Sequence, residues 1–339
     1  MERSFTLCNG DKLVCTEKAA IFTFSGPRIV LSSSANGGGQ AEQDQPEETS
    51  GSLLPETDRS GNPIELSQAA DTVISMAPSI TQTILDLGME EKLIAVDDYS
   101  AMYFALEDLP TFDMMEPDTE QMAVLDADLV FTSGMSASAG ADPFQPLRDI
   151  GVCVADIPSA ESLEAMFEDT RFIAACIGAE DLCETLIAQA QAEIDALAAI
   201  GGAITEKKRV LVEIASAPDI YTAGDGTFMQ EMLTVIGAEN IFGDQAGYLS
   251  VTEEAAVTLN PDVILTMVDY VDDPAGEILG RAGWENVTAV VNGDVYPVNT
   301  NAVSLPNLHV VDGMKQMAKF IYPEAYAEVE DPFAQDSAA

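Results

Sequence analysis

Two segments, one in each half of the chain, carry the same pattern. From Thr119 the sequence runs Thr-Glu-Gln-Met-Ala-Val-Leu-Asp-Ala-Asp-Leu-Val-Phe, and from Glu253 it runs Glu-Glu-Ala-Ala-Val-Thr-Leu-Asn-Pro-Asp-Val-Ile-Leu. Each reads as a short helix opened by a carboxylate, then an Asp turn, then an apolar strand, with Glu120 and Glu254 at matching places. A duplicated α/β unit predicts two lobes with a cleft between them.

The length agrees, since 339 residues exceed one ordinary core and suit two lobes. A formal net charge of -44, from 58 acidic against 14 basic residues, argues against nucleic acid, because phosphate binding needs clustered Lys and Arg. So acidic a surface is a solubility device of the kind found in halophilic proteomes, its carboxylates mostly solvated. Five cysteines, none in a Cys-x-x-Cys pair, support neither a disulfide framework nor a structural zinc site. Cys176 and Cys183 read as small apolar packing residues. The single histidine, His309, removes His-rich metal binding and most imidazole catalysis, and reads as structural.

Along the chain, residues 1–57 read as an export and tether region, largely disordered, because Ser32 to Thr57 is too poor in apolar side chains to fold. An N-terminal lobe over 58–178 follows. It alternates strand Thr72–Met76, helix Ile80–Leu87, strand Lys92–Val96, a loop with Tyr99 and Tyr103, a helix from Asp118, strand Leu129–Thr132, a helical Pro143–Ile150, strand Cys153–Ile157 and helix Ser162–Ile177. Residues 179–203 form the longest helical pattern, free of Pro with Gly only at its end, and link the lobes. The C-terminal lobe, 204–305, repeats the plan with strand Arg209–Ile214, a loop Ala215–Gly226, helix Phe228–Ile236 and strand Val263–Met267. A closing helix is expected over 306–326 and an acidic tail over 327–339. The alternation predicts an α/β fold of two Rossmann-like lobes with central parallel sheets, whose ligand loops follow the strands.

No nucleophile elbow, P-loop, His-Glu-x-x-His or intact Gly-x-Gly-x-x-Gly is present, so no catalytic residue is assigned. Gly224-Asp225-Gly226-Thr227-Phe228 reads as a helix-entry loop. Asp97-Asp98 and Asp272-Asp273 are expected by chance in so acidic a chain, and neither a metal site nor a resident cofactor is predicted. Sparse aromatics are more informative. Tyr99, Tyr221 and Tyr248 stand where an open α/β lobe presents loops to a ligand, or are ordinary surface or core tyrosines.

The run Thr72-Val73-Ile74-Ser75-Met76-Ala77-Pro78-Ser79-Ile80-Thr81, with Leu87-Gly88 and Leu93-Ile94-Ala95-Val96-Asp97-Asp98-Tyr99, resembles the opening of class III ABC-transporter substrate-binding proteins. That group captures cobalamin, ferric siderophores and haem. Thr222 to Phe228, Gly237-Ala238-Glu239-Asn240-Ile241-Phe242 and Val295-Tyr296-Pro297-Val298 continue the match. The resemblance implies a monomeric extracytoplasmic binder whose one long backbone helix restrains closure, delivering a metal chelate to a permease dimer with its ATPase. Glu120 and Glu254 match paired glutamates that dock on permease arginines; as helix N-terminal acids they also suit the helix dipole. Tyr221 and Tyr248 match aromatic ligand contacts, Ser133 replaces a rim aromatic, and Asn301 matches a polar contact. With Ser79 and Asp269 in strand-end loops, the expected cleft is Ser79, Tyr99, Ser133, Tyr221, Tyr248, Asp269 and Asn301.

The basic residue that the family places soon after Asn301 is missing, and triply anionic catecholates are disfavoured for want of Lys and Arg. A corrinoid, a hydroxamate siderophore or another near-neutral chelate remains. Family lipoproteins carry a Cys before a Ser/Gly-rich tether; here Leu31-Ser32-Ser33-Ser34 has Ser at that place, which leaves export expected and the anchor open. The rival reading is an α/β metalloprotein enzyme of nitrogenase-like lobe architecture, which needs Cys or His ligands facing the cleft. A third is a scaffold protein presenting the same lobes without ligand.

Overall fold

The computed structural model describes residues 54–134, 136 and 142–334, together with the backbone of three short strands nearer the N-terminus. Those strands, β1 (Arg3–Thr6), β2 (Lys12–Thr16) and β3 (Ala19–Ala20), pair antiparallel in that order within residues 1–50. The tether expected from Ser32 falls almost wholly on residues 21–53, outside the described residues, as does its Ser at the lipidation place.

The rest of the chain alternates strands and helices. The first lobe runs β4 (Val73–Ser75), α1 (Pro78–Asp86), β5 (Leu93–Asp97), α2 (Asp98–Phe104), β6 (Thr111–Phe112), α3 (Thr119–Val124), β7 (Leu129–Ser133), α4 (Gln145–Asp149), β8 (Val154–Ile157) and α5 (Leu163–Ile177). Its sheet is wholly parallel, in the order β6-β5-β4-β7-β8. A 22-residue helix, α6 (Glu180–Gly201), leads to the second lobe. That lobe runs β9 (Arg209–Glu213), β10 (Asp219–Ala223), α7 (Phe228–Val235), β11 (Glu239–Asn240), β12 (Tyr248–Thr252), α8 (Glu253–Leu259), β13 (Val263–Thr266), α9 (Pro274–Leu279), α10 (Thr288–Asn292), β14 (Val295–Pro297), α11 (Thr300–Ser304) and α12 (Val310–Ile321). Its parallel sheet has the order β11-β9-β13-β14.

The two orders are the same plan: second strand, first, third, fourth. Lobe 1 adds β6 at one edge, and lobe 2 adds the antiparallel ribbon β10/β12. Strands buried on both faces read as apolar runs, as Val263–Thr266 does.

The duplicated segments share one local cause. Asp126 and Asn260, at matching places, end α3 and α8 with positive φ, the left-handed conformation that Asn and Asp tolerate. Two residues on, the Asp128 carboxylate accepts from the amides of Asp71 and Thr72 (2.9 Å each), and Asp262 accepts from the Arg209 amide at 2.9 Å. Each Asp thus pins the start of its lobe's first strand to the turn before its third. The Asp71 and Thr72 amides hold the Asp128 carboxyl below its usual range.

One apolar cluster runs from Ile74 and Phe131 in lobe 1, through Cys183, Ile187 and Leu197 on α6, to Met232, Leu233 and Met317 in lobe 2. A second fills the other face of the lobe-2 sheet around Leu211, Phe242, Ile264 and Trp284. Where α6 meets α7 the backbones touch: a Cβ on Gly237 (φ +80) would lie 2.6 Å from the Gly201 carbonyl oxygen. Only glycine fits there. A shared core and a backbone contact of this kind oppose large hinge motion.

Three elements differ from expectation. Tyr99 and Tyr103 lie on a helix, α2, because Asp97 caps it by accepting from the Tyr99 and Ser100 amides at 3.0 Å. The expected loop 215–226 contains β10, whose partner β12 lies too far along the chain for local pattern to pair them. The closing helix begins at Val310, after α11 and the Leu305-Pro306 break. Among the described residues no helix is long and apolar enough to cross a membrane.

Candidate functional site

Parallel strands carry their chain forward at one edge, and the loops at that edge face the partner lobe. Lobe 1 contributes Ala77–Ser79 after β4, Ser133 after β7 and Pro158–Ser159 after β8; with Ser304–Pro306 of lobe 2 they line one cavity of ≈ 100 Å³. Ser79 and Ser133, both expected at the cleft, sit in its wall. The Ser133 hydroxyl is buried and finds no partner among the described residues, nor does the hydroxyl of Ser136 in the adjoining cavity toward Arg148.

Exposed tyrosines occur in both lobes. Five of the eight are exposed, Tyr99, Tyr103, Tyr221, Tyr248 and Tyr270, and all five lie on α2, on the β10/β12 ribbon or just after β13. The rings of Tyr99 and Tyr103, one helical turn apart, have centroids 6.2 Å apart. Tyr221 pairs across the ribbon with Ser250, which makes Tyr248 its diagonal neighbour; their rings stack at 6.3 Å, 17° from parallel. Packing pushes the Tyr248 hydroxyl up to about 12, although two-fifths of the residue stays exposed. Tyr270 accepts from the Ser216 amide at 3.1 Å and so rests beside Tyr221, whose neighbour Ala215 forms a bridge with it.

Tyr103 of lobe 1 and Asp269 of lobe 2 are coupled electrostatically. Burial raises the Tyr103 hydroxyl above its ordinary value, and the Asp269 carboxylate of lobe 2 adds to the shift, so the two are within electrostatic reach of each other. Asn301 lies on α11, half-buried; its neighbour Thr300 donates to the Met267 carbonyl at 2.8 Å, tying α11 to the loop that carries Asp269. Ser79 and Ser133 therefore share a cavity, Tyr221 and Tyr248 share a ribbon, and Tyr99 and Asp269 flank Tyr103.

Sequence reasoning missed Tyr103, Tyr270 and Asp97. The signal for Tyr103 was its i,i+4 spacing from Tyr99 behind an Asp N-cap. Asp97 is wholly buried and ends a hydroxyl chain, Ser75–Thr81–Ser100, in which Thr81 donates to Ser75 at 2.8 Å. Burial pushes its carboxyl up, against the pull of its bonds to Ser100. It fixes the helix that bears both lobe-1 tyrosines.

Glu120 and Glu254 are exposed in the first turns of α3 and α8. A helix leading into a parallel strand starts at the strand C-terminal edge, so both sit at the cleft edge of their own sheet. Glu254 borders a groove with Glu253, Val257 and Trp284, and Glu253 accepts from the Trp284 indole at 2.9 Å. Cys176 and Cys183 are buried in helices, their thiols pushed by burial up to about 12 and about 11; Cys153 is half-buried just before β8. None of the three lines the seam cavity.

Comparison with known proteins shows the family of the chain. Residues 73–301 match the model of the periplasmic binding protein family. The ABC transporter substrate-binding lipoprotein YvrC of Bacillus subtilis is 31% identical, over 80% of this chain and 86% of that protein. A cobalamin-binding protein of Halobacterium salinarum is 28% identical, over 78% and 72%. Among solved structures, a Staphylococcus epidermidis protein described as a possible iron-binding periplasmic solute-binding protein superposes with a TM-score of 0.67 at 26% identity, covering 75% of this chain and all of that one.

Proposed function

Since the chain belongs to the periplasmic binding protein family, we propose that it is the extracytoplasmic solute receptor of an ABC importer, holding a metal chelate at the seam of its lobes. The observation that carries this reading is that five of the eight tyrosines are exposed, two on α2 of lobe 1 and three on the β10/β12 ribbon or just after β13 of lobe 2. Solvent-exposed aromatic rings are costly surface unless they meet a ligand, and flat rings on rigid elements suit a large, partly apolar chelate. The cavity lined by Ser79 and Ser133 is too small for a macrocycle, so the chelate body rests on exposed surface such as the tyrosine faces and at most a substituent enters it.

The protein does no chemistry on its cargo. It binds a corrinoid or hydroxamate-type ferric chelate and presents it to the permease. Glu120 and Glu254 seat on basic side chains of the two permease halves, since exposed carboxylates on short rigid helices offer charge-assisted, register-setting contacts. The continuous core makes this a receptor that closes little on its ligand.

Two measurements test the reading. Titration of the purified protein with corrinoids and ferric hydroxamates should quench tyrosine emission at micromolar concentrations; absence of any quenching by either class overturns chelate capture. The double substitution Glu120→Ala plus Glu254→Ala should abolish importer-dependent uptake while leaving chelate affinity unchanged, and normal uptake would reject the docking role.

A further inference from the structure

Every basic side chain of the two-lobed unit can be traced. Of the 14 Lys and Arg, Arg3, Lys12, Lys18 and Arg28 precede it, which leaves ten. Lys92 donates to the Ala70 carbonyl and to Asp71, at the start of β5. Lys207, Lys208 and Arg209 stand at the start of β9, the edge opposite the seam. Arg171 pairs with Glu184, Lys315 with Asp312 and Glu193, and Lys319 with the Val329 carbonyl, all on α5, α6 and α12.

The remaining three lie nearer the strand ends, and each is consumed. Arg59 bonds Asp169 and Glu168 at 2.6 and 2.7 Å. Arg148 bonds Asp142 and the Val154 carbonyl. Arg281 is buried on Glu213 and Glu277. Among the described residues, no uncommitted cation stands beside the exposed tyrosines.

Carboxylates do stand there. Asp98 opens α2 beside Tyr99, and Asp269 follows β13, next to Tyr270 in the chain and within electrostatic reach of Tyr103; both are exposed. Tyrosine faces attract cations through the ring quadrupole, and a nearby carboxylate adds to that attraction. Among the described residues, an anionic ligand at this seam would meet like charge and only cations already bonded to carboxylates, such as Arg148. A neutral one would gain only from packing.

We propose that this cleft selects its chelate by charge, preferring a net-cationic metal chelate with an apolar periphery, accepting a neutral one more weakly and rejecting an anionic one. The inference rests on the chelate-binding reading above and adds to it the charge class of the cargo. The unpartnered Ser133 hydroxyl in the cavity below supplies a neutral polar contact, which fits such a ligand and would not offset an anion.

The test uses the full chain at one fixed ionic strength at which circular dichroism shows it folded. One series keeps a ferric trihydroxamate core and varies its pendant amine: free ammonium, acetylated, succinylated. A second keeps one corrin ring, as the diaqua cobinamide cation and as the neutral dicyano form. Calorimetry should show affinity falling about tenfold with each unit of positive charge removed, in whichever series binds. Asp269→Asn and Asp98→Asn should each narrow the gap between the charged and acetylated ligands. Equal affinity along a series, or tightest binding of the succinylated form, overturns charge selection and leaves chelate capture standing. No binding in either series overturns both.

Discussion

The two lobes solve the same position in opposite ways. By strand register, Met76 in lobe 1 and Glu213 in lobe 2 are equivalent: each follows the residue, Ser75 or Val212, that pairs with the third strand at Phe131 or Leu265. Met76 is fully buried and apolar. Glu213 is 1% exposed, and needs Arg281, whose two guanidinium nitrogens bond it at 2.6 and 2.9 Å. Burial pulls the Arg281 guanidinium down, but its bonds to Glu213 and Glu277 outweigh that and raise it. Its guanidinium also lies 5.2 Å from the centre of the Trp284 ring. A buried carboxylate thus organises lobe 2 from its first strand to the groove beside Glu254, whereas lobe 1 does without charge at that place and spends its polar groups on capping α2.

The sharpest way to break this comparison is to give lobe 2 the lobe-1 solution. Arg281→Met alone strands Glu213 and should cost about 3–5 kcal/mol in chemical denaturation. Arg281→Met with Glu213→Met should recover most of that loss or exceed the parent, and a double variant no better than the single one would show that the pair does more than neutralise itself.

Next in size is the lobe-1 cap. Asp97→Ala removes the acceptor for two α2 amides and should cost about 1–2 kcal/mol, with weaker chelate binding because Tyr99 and Tyr103 lose their fixed helix. The lobe-2 ribbon should behave differently. Tyr248→Ala removes a diagonal cross-strand pair worth about 0.2–1 kcal/mol, so affinity should fall more than stability. Equal loss of both in the two variants would erase the distinction between a helical and a ribbon mount.

The smallest effect joins the lobes. His309 at the start of α12 lies 3.1 Å from Asp86 at the end of α1, and its bonds to Asp312 and Asp86 raise it from 6.5 to about 10. A folded-state value above the unfolded one means that this stabilisation is complete below about pH 6.5 and is lost as pH rises through about 10. The side chain is 45% exposed, so screening keeps it under about 1 kcal/mol. Melting curves at pH 6, 8 and 10.5 should show a decline that His309→Asn flattens; parallel declines in both proteins would remove the latch.

Much of the fold was legible in the chain because its signals are local. The Asp-turn repeats at Asp126–Asp128 and Asn260–Asp262, the apolar strands, the Ser162 cap and the unbroken pattern of α6 each depend on residues a few places apart. The cleft was legible only in part. Tyr99, Tyr221 and Tyr248 stood out by scarcity, but Tyr103 was read into a loop, and the ribbon that mounts Tyr221 was missed because β10 finds β12 across an intervening helix and strand.

By itself, the sequence determined the duplicated parallel α/β plan, the linking helix and the excess of negative charge, since periodicity, caps and composition need no distant partner. Tertiary structure alone decided that five tyrosines stay exposed on α2, the ribbon and the loop after β13, and that every basic side chain of the two lobes lies elsewhere or is already paired. It also decided that Glu213 is tolerable because Arg281 reaches it. Such pairings depend on which surfaces the folded chain brings face to face, and burial and charge balance are properties of that arrangement rather than of any neighbourhood along the chain.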